Sequence, residues 1–156
     1  MCYEFLPLTK EMVPALSKLE KLCFSVPWTE SMFLGELDNA YATYRVILFE
    51  GEPVAYMGLW QVADEGHITN VAVHPEHRKK GLAQRLILFF CEYARSHGLC
   101  LLTLEVRESN EAAIRLYEKM GFVPVGRRTR YYEGKEDALL YTWFVKQAEE
   151  GENFFE

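Results

Sequence analysis

Val71-Ala72-Val73-His74-Pro75-Glu76-His77-Arg78-Lys79-Lys80-Gly81-Leu82-Ala83 is the stretch from which the fold is read. Its apolar, β-rich start is a strand, and Pro75 stops it. A short basic loop follows, and a helical pattern begins at Gly81. Gly81 and Ala83 are small, so backbone can approach a ligand closely there. The first turn of a helix leaves N–H groups without intrahelical partners. Those groups and the helix dipole make an anion site. Arg78, Lys79 and Lys80 add positive charge, and a diphosphate spans such a site. The Gly-Lys-Ser/Thr ending of a P-loop is absent, and so is GxGxxG.

Upstream, residues 67–73 and 54–62 read as strands joined by the turn Ala63-Asp64-Glu65-Gly66. Residues 44–49 form the strand before the turn Glu50-Gly51-Glu52-Pro53. Residues 3–8 are a first strand. Thr9 is read as the N-cap of a helix in which Met12, Leu16, Leu19 and Cys23 recur at helical spacing. Thr29 is read as the cap of a short helix carrying Phe33, Leu34 and Leu37.

Downstream, residues 81–97 are helical. Leu82, Leu86, Phe89, Phe90 and Ala94 share an apolar face, and Gly98 suits the C-terminal cap. Residues 99–106 form a strand. Ser109 or Asn110 caps the next helix, which ends at Gly121, and residues 122–125 and 138–145 are the last strands. The order β-α-α-β-β-β-α-β-α-β-β predicts an α/β chain with a mixed sheet covered by helices. Residues 1–146 are expected to form one domain and residues 147–156 an acidic tail.

The chain has 156 residues, 49% of them hydrophobic, which is enough for a buried core. No apolar run approaches the roughly 20 residues a bilayer requires, so no membrane partner is expected. No basic segment precedes an apolar one at the N-terminus, and no secretory signal is expected. Cys2, Cys23, Cys91 and Cys100 form no CxxC pair and read as reduced, mostly buried thiols of a cytoplasmic protein. The net charge of −6 disfavours a nucleic-acid partner. Arg127-Arg128-Thr129-Arg130 is a second basic cluster, read as a solvated loop.

Leu102-Thr103-Leu104-Glu105-Val106-Arg107 places Leu102, Leu104 and Val106 on one strand face, with Leu101, Thr103 and Glu105 on the other. A carboxylate in mid-strand is unusual, because burying a charge is costly. Glu105 is either a surface-facing residue or a general base working through water. Tyr117 shares a helical stripe with Ala113 and Met120. It is either core packing or a phenol able to give a proton to a leaving thiolate. Asn110 either caps its helix or contacts a bound ligand.

Arg78-x-x-Gly81-x-Ala83 and the preceding Ile68-Thr69-Asn70-Val71-Ala72-Val73-His74-Pro75 resemble the acetyl-CoA motif and central strand of the GNAT superfamily of N-acetyltransferases. The resemblance implies that acetyl-CoA is the co-substrate. It implies that residues Arg78, Lys79, Lys80, Gly81, Leu82, Ala83 and Gln84 hold the cofactor's diphosphate. Val71, Ala72 and Val73 would line its pantetheine arm, with Asn110 touching the same arm. The implied fold is a twisted, mixed, mostly antiparallel sheet of six or seven strands with helices on both faces.

Leu104-Glu105-Val106-Arg107, Ser109-Asn110-Glu111-Ala112-Ala113-Ile114, Leu116-Tyr117 and Gly121-Phe122 are similar to the bacterial ribosomal-protein-alanine N-acetyltransferases. So are Phe24-Ser25-Val26-Pro27-Trp28, Tyr131-Tyr132 and Glu136-Asp137-Ala138. That family implies Glu105 as proton acceptor and Tyr117 as proton donor. Pro27, Trp28, Tyr131 and Tyr132 would clamp an acceptor peptide. The expected reaction is direct transfer to the N-terminal alanine of a ribosomal protein, in a ternary complex. The rivals are acetylation of a small amine or lysine side chain, and a non-catalytic module that binds CoA. His74 and His77 lie three apart without a third ligand in view, so no metal is expected. His67 reads as a strand-end residue.

Overall fold

The computed structural model describes residues 2–132 and 136–145. Its strands are β1 (Tyr3–Pro7), β2 (Ala42–Phe49), β3 (Glu52–Val62), β4 (Glu65–Val73), β5 (Leu101–Arg107), β6 (Val123–Tyr132) and β7 (Glu136–Phe144). The helices are α1 (Val13–Cys23), α2 (Glu30–Leu37), α3 (Leu82–Ser96) and α4 (Glu111–Lys119). This is the expected order of elements. The strands form a seven-stranded sheet ordered β1-β2-β3-β4-β5-β7-β6. Antiparallel pairing joins β1 to β2, β2 to β3, β5 to β7 and β6 to β7. β4 and β5 are parallel, with Glu65, Gly66 and His67 opposite Leu101, Leu102 and Thr103.

The chain forms two compact units. The first runs to Gln61 and includes Ile68–Leu88; the second comprises Val62–His67 and the described residues from Phe89 onward. In the first unit, Val13, Leu16, Leu19, Phe33, Val46 and Tyr56 are fully buried together. The Phe33 ring meets Tyr56 edge-on at 5.5 Å and Trp28 at 5.3 Å. In the second unit, β5 buries Leu102, Leu104 and Val106, as strand alternation predicts. Phe90, Phe122 and Tyr141 are buried there as well.

Several local readings change. Thr9 makes no capping bond; a 3-10 turn over Lys10–Met12 intervenes, and α1 opens at Val13 with Pro14 in its first turn. Proline suits that position, because its missing N–H would have had no helical partner. Thr29 does cap α2, its Oγ1 accepting from the Met32 N–H at 3.3 Å. Of the apolar residues assigned to α2, only Phe33 is buried, while Leu34 and Leu37 are exposed. β6 runs through residues 127–130 instead of ending at 125, so the second basic cluster is strand and not loop. Its register shifts between Pro124 and Gly126 accommodate a proline that cannot donate to the ladder.

All four cysteines are free thiols, but only Cys91 is buried; Cys2 and Cys100 are exposed. Burial pushes the Cys91 thiol from 9.0 up to about 11. A raised native value favours folding fully below the unfolded value, and that contribution is lost as pH rises toward the folded one. Stability is therefore expected to fall between pH 9 and about 11. The loss approaches roughly 2–3 kcal/mol at about 1.4 kcal/mol per pH unit. Denaturant melts of wild type and Cys91→Ala across this range check it, since the alanine variant lacks that part of the slope.

Candidate active site

In the first unit, β4 ends at Val73 and the chain turns through a 3-10 segment, Pro75–His77. The Glu76 N–H donates to His74 Nδ1 at 3.0 Å, capping that turn. His77 Nδ1 lies 3.0 Å from the Tyr3 hydroxyl, and its ring packs 5.0 Å from Phe49. His74 and His77 are thus occupied in packing the turn. Among the described residues, no group of three or more His, Cys, Asp or Glu side chains is arranged to hold a metal.

Lys79 (φ +63°) and Gly81 (φ +77°) take left-handed conformations that carry the chain sharply into α3. A Cβ at Gly81 would meet nothing within 4 Å, so the glycine serves the backbone angle and leaves the space above it open. The helical ladder starts with the Arg85 N–H donating to the Gly81 carbonyl at 3.1 Å. The N–H groups of Leu82, Ala83 and Gln84 precede that bond, so the ladder does not use them. Lys79 and Lys80 are exposed beside this turn. Arg78 is held back: its Nε donates to the Val73 carbonyl at 3.0 Å, and a terminal nitrogen lies 3.7 Å from Cys23 Sγ. Val71 and Val73 are half-buried and Ala72 is buried.

Pro27 and Trp28 belong to the same unit, in the connection between α1 and α2. The Trp28 N–H donates to Glu20 Oε1 at 2.8 Å, and its ring rests on Phe33. Glu20, which the sequence reading did not single out, is only 1% exposed. The signal was a charged residue one position beyond Leu19 on the apolar stripe of α1.

In the second unit, Glu105 projects from β5 opposite Leu140 of β7. Its Oε2 accepts from Arg128 Nε at 2.5 Å. The Arg128 guanidinium also sits over the Tyr131 ring, 5.6 Å from its centroid. The hydrogen bond to Glu105 holds the Tyr131 phenol above its usual range. Glu105 and Tyr131, far apart in sequence, are thereby brought together by a residue read as part of a solvated loop. Arg127 of the same strand pairs with Glu108 at 3.1 Å and with Asp137. Arg127 and Arg128 of the basic cluster are in this way paired with carboxylates of their own unit.

Tyr117 is buried on α4, its ring 5.7 Å from Phe122. Asn110 Oδ1 accepts from the Ala113 N–H at 3.2 Å, the capping role read from sequence. His67 at the start of β4 pairs with Glu65 at 3.1 Å. The backbone of Tyr132 pairs with Glu136, while its side chain, like residues 146–156 with their acidic tail, lies outside the described residues.

The strand, the left-handed loop and the helix they lead into have counterparts among known proteins. Residues 13–122 match the model of the acetyltransferase (GNAT) family. A Bacillus subtilis (strain 168) protein provisionally named as a ribosomal protein bS18-alanine N-acetyltransferase is 39% identical over 132 residues, covering 83% of this chain and 87% of that one. The ribosomal protein bS18-alanine N-acetyltransferase of Escherichia coli (strain K12) is 33% identical over 131 residues, covering 82% of this chain and 88% of its own length. The crystal structure of the ribosomal-protein-S18-alanine N-acetyltransferase from Escherichia coli superposes with a TM-score of 0.86 at 30% identity, covering 99% of this chain and 100% of that one. With its family model, near full-length relatives and fold in agreement, the chain belongs to the acetyltransferase (GNAT) family, and its relatives there include proteins named as ribosomal-protein-alanine N-acetyltransferases.

Proposed function

We propose that the protein transfers the acetyl group of acetyl-CoA to the α-amine of an N-terminal alanine, with ribosomal protein bS18 as acceptor, in the cytoplasm. The observation that carries this reading is the 39% identity, over most of both chains, to a relative named for that activity. The loop at residues 78–84 fits the diphosphate of the co-substrate. It offers first-turn amides that the helical ladder does not use, an open space over Gly81 and two exposed lysines. When bound, acetyl-CoA supplies the acetyl group as an activated thioester.

The residues of the chain then have separate tasks. The amides of Leu82, Ala83 and Gln84 grip phosphate oxygens, with Lys79 and Lys80 nearby. Arg78 shapes the loop through the Val73 carbonyl. Val71, Ala72, Val73 and Asn110 line the pantetheine arm. Pro27, Trp28, Tyr131 and Tyr132 hold the peptide. Glu105 accepts, through water, the proton that the neutral α-amine sheds as its lone pair attacks the thioester carbonyl. As the new C–N bond forms and the C–S bond breaks, Tyr117 protonates the departing thiolate. An α-amine with pKa of about 7.7–8.0 needs only this modest assistance at neutral pH.

The test uses the purified chain, acetyl-CoA and three acceptors: a peptide with the bS18 N-terminus, the same peptide N-blocked with an internal lysine, and spermidine. Acetylation is expected on the first alone, at the α-amine by mass spectrometry. Modification of lysine or spermidine instead would overturn the acceptor assignment, and no turnover with any of them would overturn the enzymatic one.

A further inference from the structure

The buried carboxylate of Glu20 has no part in the reaction outlined above, yet both of its oxygens accept hydrogen bonds. Its Oε1 accepts from the Trp28 N–H at 2.8 Å, and its Oε2 accepts from the Tyr56 hydroxyl. The Tyr56 oxygen accepts in turn from Asn70 Nδ2 at 2.6 Å. Asn70 Oδ1 accepts from Thr69 Oγ1 at 2.7 Å and from the Tyr44 hydroxyl at 3.4 Å. The single Tyr44 hydroxyl hydrogen is shared, with Glu36 Oε1 the nearer acceptor at 2.8 Å. A continuous run of hydrogen bonds thus leads from the α1–α2 connection, through α1 and β3, to the β4 residue just before Val71.

Stability alone does not call for this arrangement. A buried carboxylate loses much of its hydration, and an apolar side chain of like size fills such a site at no greater cost. Burial indeed pushes the Glu20 carboxyl upward, opposed by the bonds from the Trp28 amide and the Tyr56 hydroxyl. What the carboxylate adds is direction. It ties the backbone of an irregular segment to rigid elements on either side. Pro27 has no N–H to offer, so the amide of Trp28 is the next donor along the chain.

We propose that Glu20 is a positioning residue for the acceptor: it fixes the Trp28 backbone through Oε1 while Tyr56 and Asn70 hold the carboxylate against β4. This rests on the reading of Pro27 and Trp28 as part of the peptide clamp. The loss of Glu20 therefore loosens acceptor binding and leaves the co-substrate's binding intact.

The experiment compares wild type, Glu20→Gln, Tyr56→Phe and Trp28→Ala by steady-state kinetics with the alanine peptide and acetyl-CoA. Glu20→Gln is expected to raise the acceptor KM about tenfold, the loss of one hydrogen bond to a charged group. The KM for acetyl-CoA is expected to change less than about twofold, within the range of near-neutral changes. Tyr56→Phe, which keeps the ring and removes the bond that steadies Glu20, moves the acceptor KM in the same direction by a smaller factor. A merely structural role would move both KM values together, and that result overturns the proposal. An unchanged acceptor KM in Glu20→Gln, with a raised one in Trp28→Ala, overturns it while sparing the clamp. An unchanged acceptor KM in Trp28→Ala removes the clamp and the role of Glu20 with it. If Glu20→Gln does not fold, Tyr56→Phe and hydrogen exchange on the wild type carry the test. The Trp28 amide is expected to be protected, and rapid exchange there would overturn the proposal.

Discussion

Glu105→Gln is expected to lower kcat by about 10²- to 10⁴-fold, the span typical of losing one positioned general base. The substitution keeps the size and shape of the side chain, so β5 and its pairing with β7 through Leu140 should persist. An amide oxygen can still accept a hydrogen bond from Arg128, but it has no useful affinity for a proton. The loss should therefore appear in kcat, with the calorimetric affinity for CoA unchanged. An activity within about threefold of wild type would place proton acceptance elsewhere. Arg128→Ala is the informative companion. It leaves the carboxylate in place but removes the guanidinium that holds it at 2.5 Å. Its penalty should be the smaller of the two, because orientation is disturbed while the base survives.

Tyr117→Phe should cost about 10²-fold or more in kcat, since it removes the proposed proton donor while keeping the ring. The ring packs on Phe122 at 5.7 Å, and phenylalanine keeps that contact. A phenol is ordinarily a weaker acid than a thiol, so handing its proton to the departing thiolate works slightly uphill. The donor therefore matters most when the leaving thiolate is most basic. A thioester of a more acidic thiol is expected to shrink the Tyr117→Phe penalty. If the penalty stayed the same across leaving groups, Tyr117 would be a packing residue whose hydroxyl has no part in departure of the thiol.

Both predictions concern side chains whose types and spacings are visible in the sequence, but whose surroundings are not. The alternation of Leu102, Leu104 and Val106 marked the buried face of β5 and put Glu105 on the opposite one, where the structure has it only 27% exposed at the side chain. That the same carboxylate is held by Arg128 and Tyr131 was not visible. Residues 127–130 look like a charged loop until β7 is present to pair with them. Their register opposite β7 places Arg127 against Leu139 and Arg128 against Ala138. Glu20 escaped notice for a related reason. Helical periodicity reveals which face turns inward, but not that an acid on that face will find an amide and a phenol there.

The order of elements, the strand that breaks at Pro75, the glycine turn into α3 and the caps at Thr29 and Asn110 follow from the sequence by itself. Each depends on residues within a few positions of one another, where backbone angles and short-range hydrogen bonds dominate. The pairing of Arg128 with Glu105, of Arg127 with Glu108 and Asp137, and of Glu20 with Tyr56 was decided only by the tertiary structure. Such charges meet because strand register and helix packing bring distant segments within hydrogen-bond reach. No local pattern encodes that register, since it emerges from the burial of the whole core.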